Sequence, residues 1–318
     1  MSYLLPMRLK LIAQVMGFDD MDGILLLDKP KGMTSHDCVN RVRKLFNTRK
    51  VGHAGTLDPD ATGVLVLAIN RATKILQFLE NDAKVYEAEI AIGKSTTTED
   101  ASGDIVYEDL SHKSFSRKDI EDVLQQFLGK QTQIPPMVSA VKIKGKKLYE
   151  YARNNVLIDR PKRNIEVFEL VLLDEQDEFS GIEFTFNVRA HVSKGTYIRT
   201  LAKDIGESLG YPAHLKALRR IQSGRFSINE CVTFDDIERG DYRLVSIKDA
   251  LRAYQTIVVG EKLKQKIIHG QKLIHKTNDP ILVFVDQQDH VLAVYGEDPK
   301  DQTKIKPLRV LWTEKERR

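Results

Sequence analysis

The residues of this sequence that could do chemistry stand in one glycine-hinged loop. The stretch KVGHAGTLDPDATGVLVLAIN, from Lys50 to Asn70, places His53 and Asp58 just before an apolar run that is typical of a buried strand. A carboxylate in such a loop can serve as a nucleophile or a base. An Asp before a proline is, however, more often a turn initiator. The choice between these functions depends on what surrounds Asp58.

Three further residues are predicted to lie near strand ends that could converge on Asp58: Tyr86, Tyr197 and Arg199. An arginine beside a carboxylate favours the ionised form, so Arg199 is expected to lower the pKa of Asp58 from its reference of about 3.9. A nucleophilic or basic carboxylate needs that charge. This grouping favours a working acid over a turn residue.

Composition and motifs exclude several classes of protein. The 318 residues are 42% hydrophobic and 30% charged, with two cysteines far apart, so no disulfide framework or Cys-based zinc site is expected. The isolated cysteines fit a reducing cytosol, so a cytoplasmic protein is expected. No apolar run approaches the roughly 18 residues that a membrane span needs. The histidines lack metal-ligand spacing, and the GKST sequence at Gly93 lacks the first glycine of a P-loop. We therefore expect neither a metal nor another cofactor.

Positive charge is clustered although the net charge is only +4. The segments 41–50, 142–153 and 261–276 are rich in Lys and Arg, and the second contains Tyr149 and Tyr151. Clustered cations with aromatic residues between them suit a polyanion whose bases can stack. RNA or single-stranded DNA is the predicted partner, although each cluster alone could be a solvated helix face.

Strands and helices alternate along the chain. Strands are predicted over 23–30, 64–69, 84–93 and 182–192, and helices over 36–46 with Ser35 as the N-cap, over 117–130 and over 200–210. Residues 131–153 show weak periodicity and are predicted to form a protruding arm. After a composition change near 242–258, three short β runs follow. The pattern predicts an α+β fold with a mixed or antiparallel sheet and a small β-rich C-terminal module.

The loop GHAGTLDPDATGVL resembles the catalytic-loop signature of the TruB-type tRNA pseudouridine synthases. GILLLDKPKGMTS, KVYEAEIAIGKSTTTEDASGDI, IPPMVSAVKIKGKKLYEYAR, SKGTYIRTLAKDIGESLG and AHLKALRRIQSGRF resemble further segments of that family, in its order. The resemblance covers residues 22 to 312. It implies conversion of the T-loop uridine at tRNA position 55 to pseudouridine, by base flipping and without a cofactor.

The resemblance also implies functions for individual residues. Asp58 matches the essential aspartate, Tyr86 the tyrosine that stacks on the flipped uracil, and Arg199 the arginine that pairs with the catalytic carboxylate. The remaining matches are expected to bind substrate or RNA, and they are Lys29, Pro30, His53, Tyr197 and Leu218, joined by Lys142, Lys146 and Lys147 of the arm. Tyr197 is predicted to share a strand with Arg199.

The same resemblance divides the chain. Residues 1–21 form an N-terminal extension, either natural or the result of a start codon chosen too early. Residues 22–245 are expected to be the catalytic domain, with 131–153 as a thumb-like arm that clamps the T-stem-loop. Residues 256–314 resemble a PUA RNA-binding module. The spacing resembles that of bacterial, stand-alone members, so a monomer that needs no guide RNA is expected.

Two other functions stay open. A non-catalytic tRNA-binding or RNA-folding protein would need only the basic clusters and the C-terminal module. An aspartate-dependent glycosidase would need a second acid about 5–9 Å from Asp58, and Asp60 is the local candidate.

Overall fold

A computed structural model of the chain describes residues 21–80, 82–139, 141–154, 156, 158–274 and 279–312. The predicted N-terminal extension therefore lies outside the described residues, except for Met21. The strands are β1 Gly23–Lys29, β2 Val51–Ala54, β3 Thr62–Ile69, β4 Lys84–Ile92, β5 Lys94–Thr96, β6 Ile105–Glu108, β7 Lys113–Ser116, β8 Gly129–Gln133, β9 Lys142–Ile143, β10 Lys146–Lys147, β11 Arg163–Leu172, β12 Glu178–Gly181, β13 Phe184–Val192, β14 Ala213–Ser223, β15 Phe226–Ser227, β16 Gln255–Val258, β17 Leu273–Ile274, β18 Ile281–Val285, β19 Val291–Glu297 and β20 Lys304–Val310. The helices are α1 Ser35–Leu45, α2 Leu76–Leu79, α3 Arg117–Gln126, α4 Leu148–Arg153, α5 Ile198–Ser208, α6 Phe234–Arg239, α7 Ile247–Ala250 and α8 Glu261–Ile268. The described residues also contain two 3-10 helices, Asn70–Ile75 and Ile228–Glu230.

One large mixed sheet organises the first three quarters of the chain. Within the described residues its order is β1-β3-β14-β4-β13-β11-β8, with β2 also paired to β3 and β15 to β14. Strand β14 runs parallel to β3 and antiparallel to β4. It therefore joins the half of the sheet that carries the Asp58 loop to the half that carries Tyr86.

The continuous apolar runs of β1 and β3 follow from burial on both faces of the sheet. Side chains alternate between faces along a strand. Ile24, Leu26, Val64 and Val66 enter one core, while Leu25, Leu27, Leu65 and Leu67 enter another, which α1 covers. Both faces exclude water, so the sequence of these strands shows no polar alternation.

The strands β4 and β13 show the opposite pattern, because one face of this part of the sheet is exposed. Phe186, Val188 and Ala190 of β13 and Ile90 of β4 pack into a core with helices α3 and α5. Polar residues occupy the other face. This is the alternation that the sequence predicts for half-buried strands.

The junction of β3 and β14 requires glycine at position 63. Gly63 has φ +99°, and a Cβ atom there would lie 2.2 Å from the carbonyl oxygen of Arg220. No side chain fits at that distance, and positive φ disfavours other residues. The close approach brings β14 against the end of the loop that holds Asp58.

Three helix boundaries differ from the predicted ones. Thr34, and not Ser35, is the N-cap of α1, because its hydroxyl accepts from the Asp37 N–H while the Asp37 carboxylate accepts in return. Helix α5 begins at Ile198, so Arg199 lies in its first turn and Tyr197 is its N-cap. The predicted strand containing Tyr197 and Arg199 is therefore wrong. Helix α3 ends at Gln126, and Gly129 begins β8 with φ +85°.

The segment 131–153 is more regular than predicted. Its first residues belong to β8, which pairs with β11 at the edge of the main sheet. The strands β9 and β10 then form a short hairpin, and α4 follows directly. The arm is thus anchored in the sheet at its base. Lys142 and Lys146 are exposed on the hairpin.

The three predicted C-terminal β runs are present as β18, β19 and β20, in a five-stranded sheet of order β16-β18-β19-β20-β17. This sheet shares a core with the main sheet: Val283, Val285 and Leu251 pack in one cluster with Val64 and Val66. Polar contacts cross the same boundary, since Lys74 Nζ donates to the Leu311 carbonyl at 2.9 Å. The α+β class with a β-rich C-terminal part is confirmed.

The shared core predicts that the two sheets unfold together. Leu251 is fully buried in it, so Leu251→Ala should lower the free energy of unfolding by about 2–5 kcal/mol. Calorimetry should show one transition that moves as a whole. The control, Ile274→Ala, alters a side chain 83% exposed on β17 and should change stability by no more than about 0.5 kcal/mol. Two transitions, with only one shifted by Leu251→Ala, would contradict a common core.

Candidate active site

The loop between β2 and β3 that carries Asp58 is held from behind by two buried side chains. The Ser35 hydroxyl accepts from the Leu57 N–H at 2.9 Å and donates to the Leu57 carbonyl at 3.1 Å. The Lys29 ammonium donates to the carbonyls of Pro30, Pro59 and Ala61 at 2.7 to 2.9 Å. The residues before and after Asp58 are thus fixed to α1 and to the end of β1.

Burial changes the function expected of Lys29. Its three N–H donors are all used, and the residue has no exposed surface. A direct contact between Lys29 and RNA is therefore not available in this structure, and its contacts assign it to positioning the loop. Desolvation also lowers the pKa of Lys29. Pro30 is exposed beside it, and contact of Pro30 with RNA stays a prediction.

Arg199 pairs with Asp58 through two nitrogens. Arg199 Nε lies 2.9 Å from Asp58 Oδ2, and Nη2 lies 3.3 Å from Oδ1. The Arg199 side chain is only 5% exposed, whereas that of Asp58 is 43% exposed and faces the cavity. A two-point ion pair of this kind fixes the plane of the carboxylate. It leaves Asp58 accessible to a ligand.

The other donors of Arg199 reach two further segments of the chain. Nη1 donates to the Thr98 carbonyl at 2.9 Å, and Nη2 donates to the Val138 carbonyl at 3.0 Å. A second carboxylate, Asp100, lies 3.6 Å from Nε. Asp100 is itself fixed by the hydroxyls of Thr98 and Ser102. Arg199 therefore ties the Asp58 loop, the 97–104 loop and the arm together.

The predicted pKa change of Asp58 is wrong in sign. Burial raises the pKa of this carboxyl above its usual 3.8, and the nearby Asp100 carboxylate raises it further. Arg199 lowers the pKa, as expected, but offsets only part of the effect of desolvation. Asp58 is thus a more basic carboxylate than an aspartate in water.

A cavity of about 710 Å³ opens in front of Asp58. It brings together six of the predicted site residues, and these are His53, Asp58, Tyr86, Tyr197, Arg199 and Leu218. Tyr86 projects from β4 and is 8% exposed, while Leu218 projects from the adjacent β14. The hairpin lysines Lys142, Lys146 and Lys147 are not among the lining residues. The volume lies within the range of pockets that bind small molecules, about 300–1,000 Å³.

Tyr197 is positioned by a residue that the sequence analysis missed. The side-chain amide of Gln133, at the end of β8, donates to the Tyr197 carbonyl at 3.0 Å and accepts from its N–H at 2.8 Å. Gln133 is 4% exposed. It links the base of the arm to the start of α5. No spacing in the sequence relates positions 133 and 197.

His53 stands on β2 with an unusual environment. Its Nδ1 is buried and has no hydrogen-bond partner among the described residues. Burial lowers the pKa of His53, and Arg220 lowers it further. The imidazole is therefore neutral at pH 7. The same loop accepts from Arg220, whose Nη2 donates to the Gly55 carbonyl at 3.1 Å.

Some Lys and Arg side chains of the basic clusters form ion pairs within the protein, and others lie at the surface. In the C-terminal part, Lys264 forms a buried pair with Asp286 at 2.9 Å, and Lys272 reaches Asp298 at 2.5 Å. Arg41 pairs with Glu238 and stacks on the Phe234 ring. Several of the side chains that were predicted to contact RNA are thus paired with acids of the protein itself. This pairing reduces the positive charge that the clusters offer to RNA.

Two kinds of feature are absent from the residues that the structure describes. No group of three or more His, Cys, Asp or Glu side chains there could hold a metal ion. No helix in the described part of the chain is both long and apolar enough to cross a membrane.

Comparison with known proteins connects this geometry to a family. Residues 43–198 match the model of the TruB family pseudouridylate synthase N-terminal domain, and residues 199–256 match that of the tRNA pseudouridylate synthase B C-terminal domain. The chain is 47% identical over 299 residues to tRNA pseudouridine synthase B of Bacillus cytotoxicus, covering 92% of this chain and 97% of that protein. The Oceanobacillus iheyensis protein of the same name is 49% identical over 302 residues, with 91% and 97% covered.

Solved structures show the same fold. The crystal structure of a Cbf5-Nop10-Gar1 complex contains a chain with a TM-score of 0.66 at 25% identity, covering 92% of this chain and 86% of that one. An archaeal box H/ACA Nop10-Cbf5 complex gives a TM-score of 0.66 at 22% identity, with 92% and 87% covered.

The clamp on the Asp58 loop predicts a cost for removing the Ser35 hydroxyl. Ser35→Ala leaves the N–H and carbonyl of Leu57 buried without their partner, which should lower the free energy of unfolding by roughly 1–3 kcal/mol. Urea denaturation measures this. Ser208→Ala, at an exposed position on α5, is the matched control and should change it by less than about 0.5 kcal/mol. Equal stability of both variants would show that the clamp does not hold the loop.

Proposed function

The chain belongs to the TruB family of pseudouridylate synthases, and on this premise we propose that it converts the uridine at T-loop position 55 of tRNA to pseudouridine. The observation that carries the proposal is the half-exposed Asp58, paired with the buried Arg199 at the wall of a cavity that Tyr86 lines. Relatives that are 46–49% identical over most of this chain are named tRNA pseudouridine synthase B.

The reaction is an isomerisation in which atoms and electrons balance. The N-glycosidic bond of the uridine breaks, the uracil turns, a bond forms between C5 and the ribose, and the C5 proton moves to the nitrogen that was released. Asp58 acts at the ribose, either as a nucleophile or as a base. Both actions need the ionised carboxylate, and the two-point contact with Arg199 aligns it.

The target base must leave its stack to reach Asp58. Flipping costs a few kcal/mol, which stacking and backbone contacts offset. Tyr86 supplies a stacking surface, since it lines the cavity between Ala190 and Arg220 on the neighbouring strands. Leu218 forms an apolar wall beside it, and Tyr197 lines the same cavity. His53 stands at the β2 side, where a neutral imidazole can contact a displaced base.

We assign binding of the RNA backbone to the arm and to the C-terminal part. The arm, residues 131–153, presents Lys142 and Lys146 to solvent, and Lys147 lies 5.4 Å from the Tyr149 ring. We assign residues 22–245 to the catalytic domain and 256–314 to a PUA-like RNA-binding module. The arm would contact the T-stem-loop beside the cavity, since its Val138 carbonyl accepts from Arg199, which pairs with Asp58.

The enzyme is proposed to work as a cytoplasmic monomer without a guide RNA. Support for a chain that works alone comes from identity: the chain is 47% identical to a tRNA pseudouridine synthase B but only 25% identical to the chain found in a Cbf5-Nop10-Gar1 complex. An RNA-folding protein without catalysis accounts for the basic surface but gives no use to the Asp58–Arg199 pair.

The first test of the proposal is the formation of pseudouridine in an unmodified tRNA transcript with no cofactor added. Asp58→Asn removes the charge but keeps the shape, so we expect turnover to disappear while tRNA binding persists. Asp60→Asn is the matched control, because Asp60 is exposed in the same loop and forms no ion pair with Arg199 among the described residues; its activity should equal that of the wild type. Product from Asp58→Asn would exclude the carboxylate mechanism. Loss of product from Asp60→Asn would instead support a two-acid glycosidase-like site.

The raised pKa of Asp58 predicts an acid limit to the rate. As the pH falls through the pKa of the free enzyme, Asp58 becomes protonated and kcat/KM declines, with a midpoint above the ordinary value of 3.8. Arg199→Gln should move the midpoint upwards, because Arg199 lowers this pKa. Single-turnover rates across pH, with circular dichroism to verify folding, measure the midpoint. A midpoint at or below 3.8 would contradict the effect of burial.

A further inference from the structure

Two buried cations line the cavity and take no part in the proposed chemistry. Lys84, the first residue of β4, is 7% exposed, and Arg220 of β14 is 1% exposed. Both belong to the wall of the 710 Å³ cavity that contains Asp58. Burying a charge is costly unless an opposite charge or strong hydrogen bonds compensate. Their partners therefore indicate what the site is built to receive.

Among the described residues, both side chains donate only to main-chain carbonyls. Lys84 Nζ donates to Glu80 at 2.9 Å and to Asp82 at 2.5 Å. Arg220 Nε donates to Val64 at 2.8 Å, and its Nη2 donates to Gly55 at 3.1 Å. Lysine has three N–H donors and arginine five, so each retains unused donors. Among the described residues, neither has a carboxylate oxygen within the 4.0 Å of an ion pair.

The two cations also repel each other. Burial, and next the charge of Arg220, lowers the pKa of Lys84 to about 8, although the carboxylates of Asp82 and Glu80 act in the opposite direction. An anion that contacts the Lys84 ammonium would offset both the desolvation and the repulsion. The pair thus has the electrostatic character of an anion site without its anion.

The separation of Lys84 and Tyr86 along β4 matches the length of a nucleotide. The two residues are separated by one residue on β4, so their side chains project from the same face about 7 Å apart. Arg220 pairs with Tyr86 across the sheet and shares that face. A uracil stacked on Tyr86 would therefore place its own sugar-phosphate close to Lys84.

We propose that Lys84, supported by the charge of Arg220, binds the phosphodiester adjacent to the flipped uridine. The inference rests on the proposed function, since the phosphate belongs to the strand whose base enters the cavity. One ammonium N–H donates to a non-bridging phosphate oxygen, while the other two stay on the carbonyls of Glu80 and Asp82.

The test is a double-mutant type of cycle, in which the lysine charge and the phosphate charge are removed separately and then together. Wild type and Lys84→Met, which keeps the apolar stem, are each measured with a T-stem-loop RNA and with the same RNA carrying one neutral methylphosphonate next to the target uridine. With the unmodified RNA, Lys84→Met should raise the Kd by about 10-fold or more and reduce the slope of log Kd against log salt concentration by about 1. The neutral linkage should weaken wild-type binding similarly but leave Lys84→Met nearly unaffected.

Two controls isolate the contact. Lys118→Met removes a lysine whose side chain is 79% exposed on α3 and should match the wild type with both RNAs. A methylphosphonate at the far end of the stem should weaken wild type and Lys84→Met equally. Competition with inorganic phosphate distinguishes a site for free anions: inhibition that Lys84→Met abolishes, without any effect of the neutral linkage, would overturn the phosphodiester assignment.

The result stays decisive if Lys84→Met folds poorly. The position dependence of the methylphosphonate is then measured with wild type alone, and equal affinity for the near and far substitutions would overturn the proposal. Equal losses for wild type and Lys84→Met with the near substitution would overturn it as well. Failure of the proposed function is a separate outcome, because wild type would then form no pseudouridine in unmodified RNA whatever the binding cycle shows.

Discussion

The site depends on the contacts of one buried group, the guanidinium of Arg199. A guanidinium cannot be deprotonated in a protein, so its burial requires acceptors for its donors. Those acceptors come from three separate segments: the Asp58 carboxylate, the Thr98 carbonyl and the Val138 carbonyl. Because one side chain needs all of them, the Asp58 loop, the 97–104 loop and the arm are held in a single arrangement. The first turn of α5 supplies the rigid base for Arg199.

Two kinds of contact hold Asp58, one to its carboxylate and one to the backbone of its loop. In front, a charged partner binds Asp58 itself, while behind the loop Ser35 and Lys29 bind only main-chain groups of its neighbours. This division fixes the backbone through main-chain groups, and the Lys29 charge adds only the last and smallest of the effects that lower the pKa of Asp58. Desolvation can then raise the pKa of Asp58 against the opposing effect of Arg199. The outcome is an oriented carboxylate with increased basicity, which suits action at a ribose carbon or proton.

The parts of the structure that local patterns determine were predictable from the sequence. Alternation of apolar and polar residues in 84–93 and 182–192 predicted β4 and β13. The family resemblance predicted that Asp58, Tyr86 and Arg199 share one site. Contacts between distant positions left no local signal: Gln133 with Tyr197, or Asp100 with Arg199. The burial of Lys29 and Lys264 was also missed, because the sequence does not distinguish a lysine that faces solvent from one that is bonded to carbonyls, as Lys29 is, or to a buried carboxylate, as Lys264 is. Charge clusters in a sequence therefore overestimate the surface available to RNA.

The common core beneath β1, β3 and the C-terminal sheet has a consequence for RNA recognition. Val64 and Val66 lie on β3, directly after the Asp58 loop, and they belong to the same buried cluster as Val283 and Val285 of the C-terminal sheet. A rigid connection of this kind fixes the distance between the carboxylate and any RNA surface that the C-terminal sheet offers. Only an RNA whose target loop and stem span that distance can occupy both. Selection among RNAs then follows from the shape of the folded substrate, and the chemistry at Asp58 need not distinguish one uridine from another.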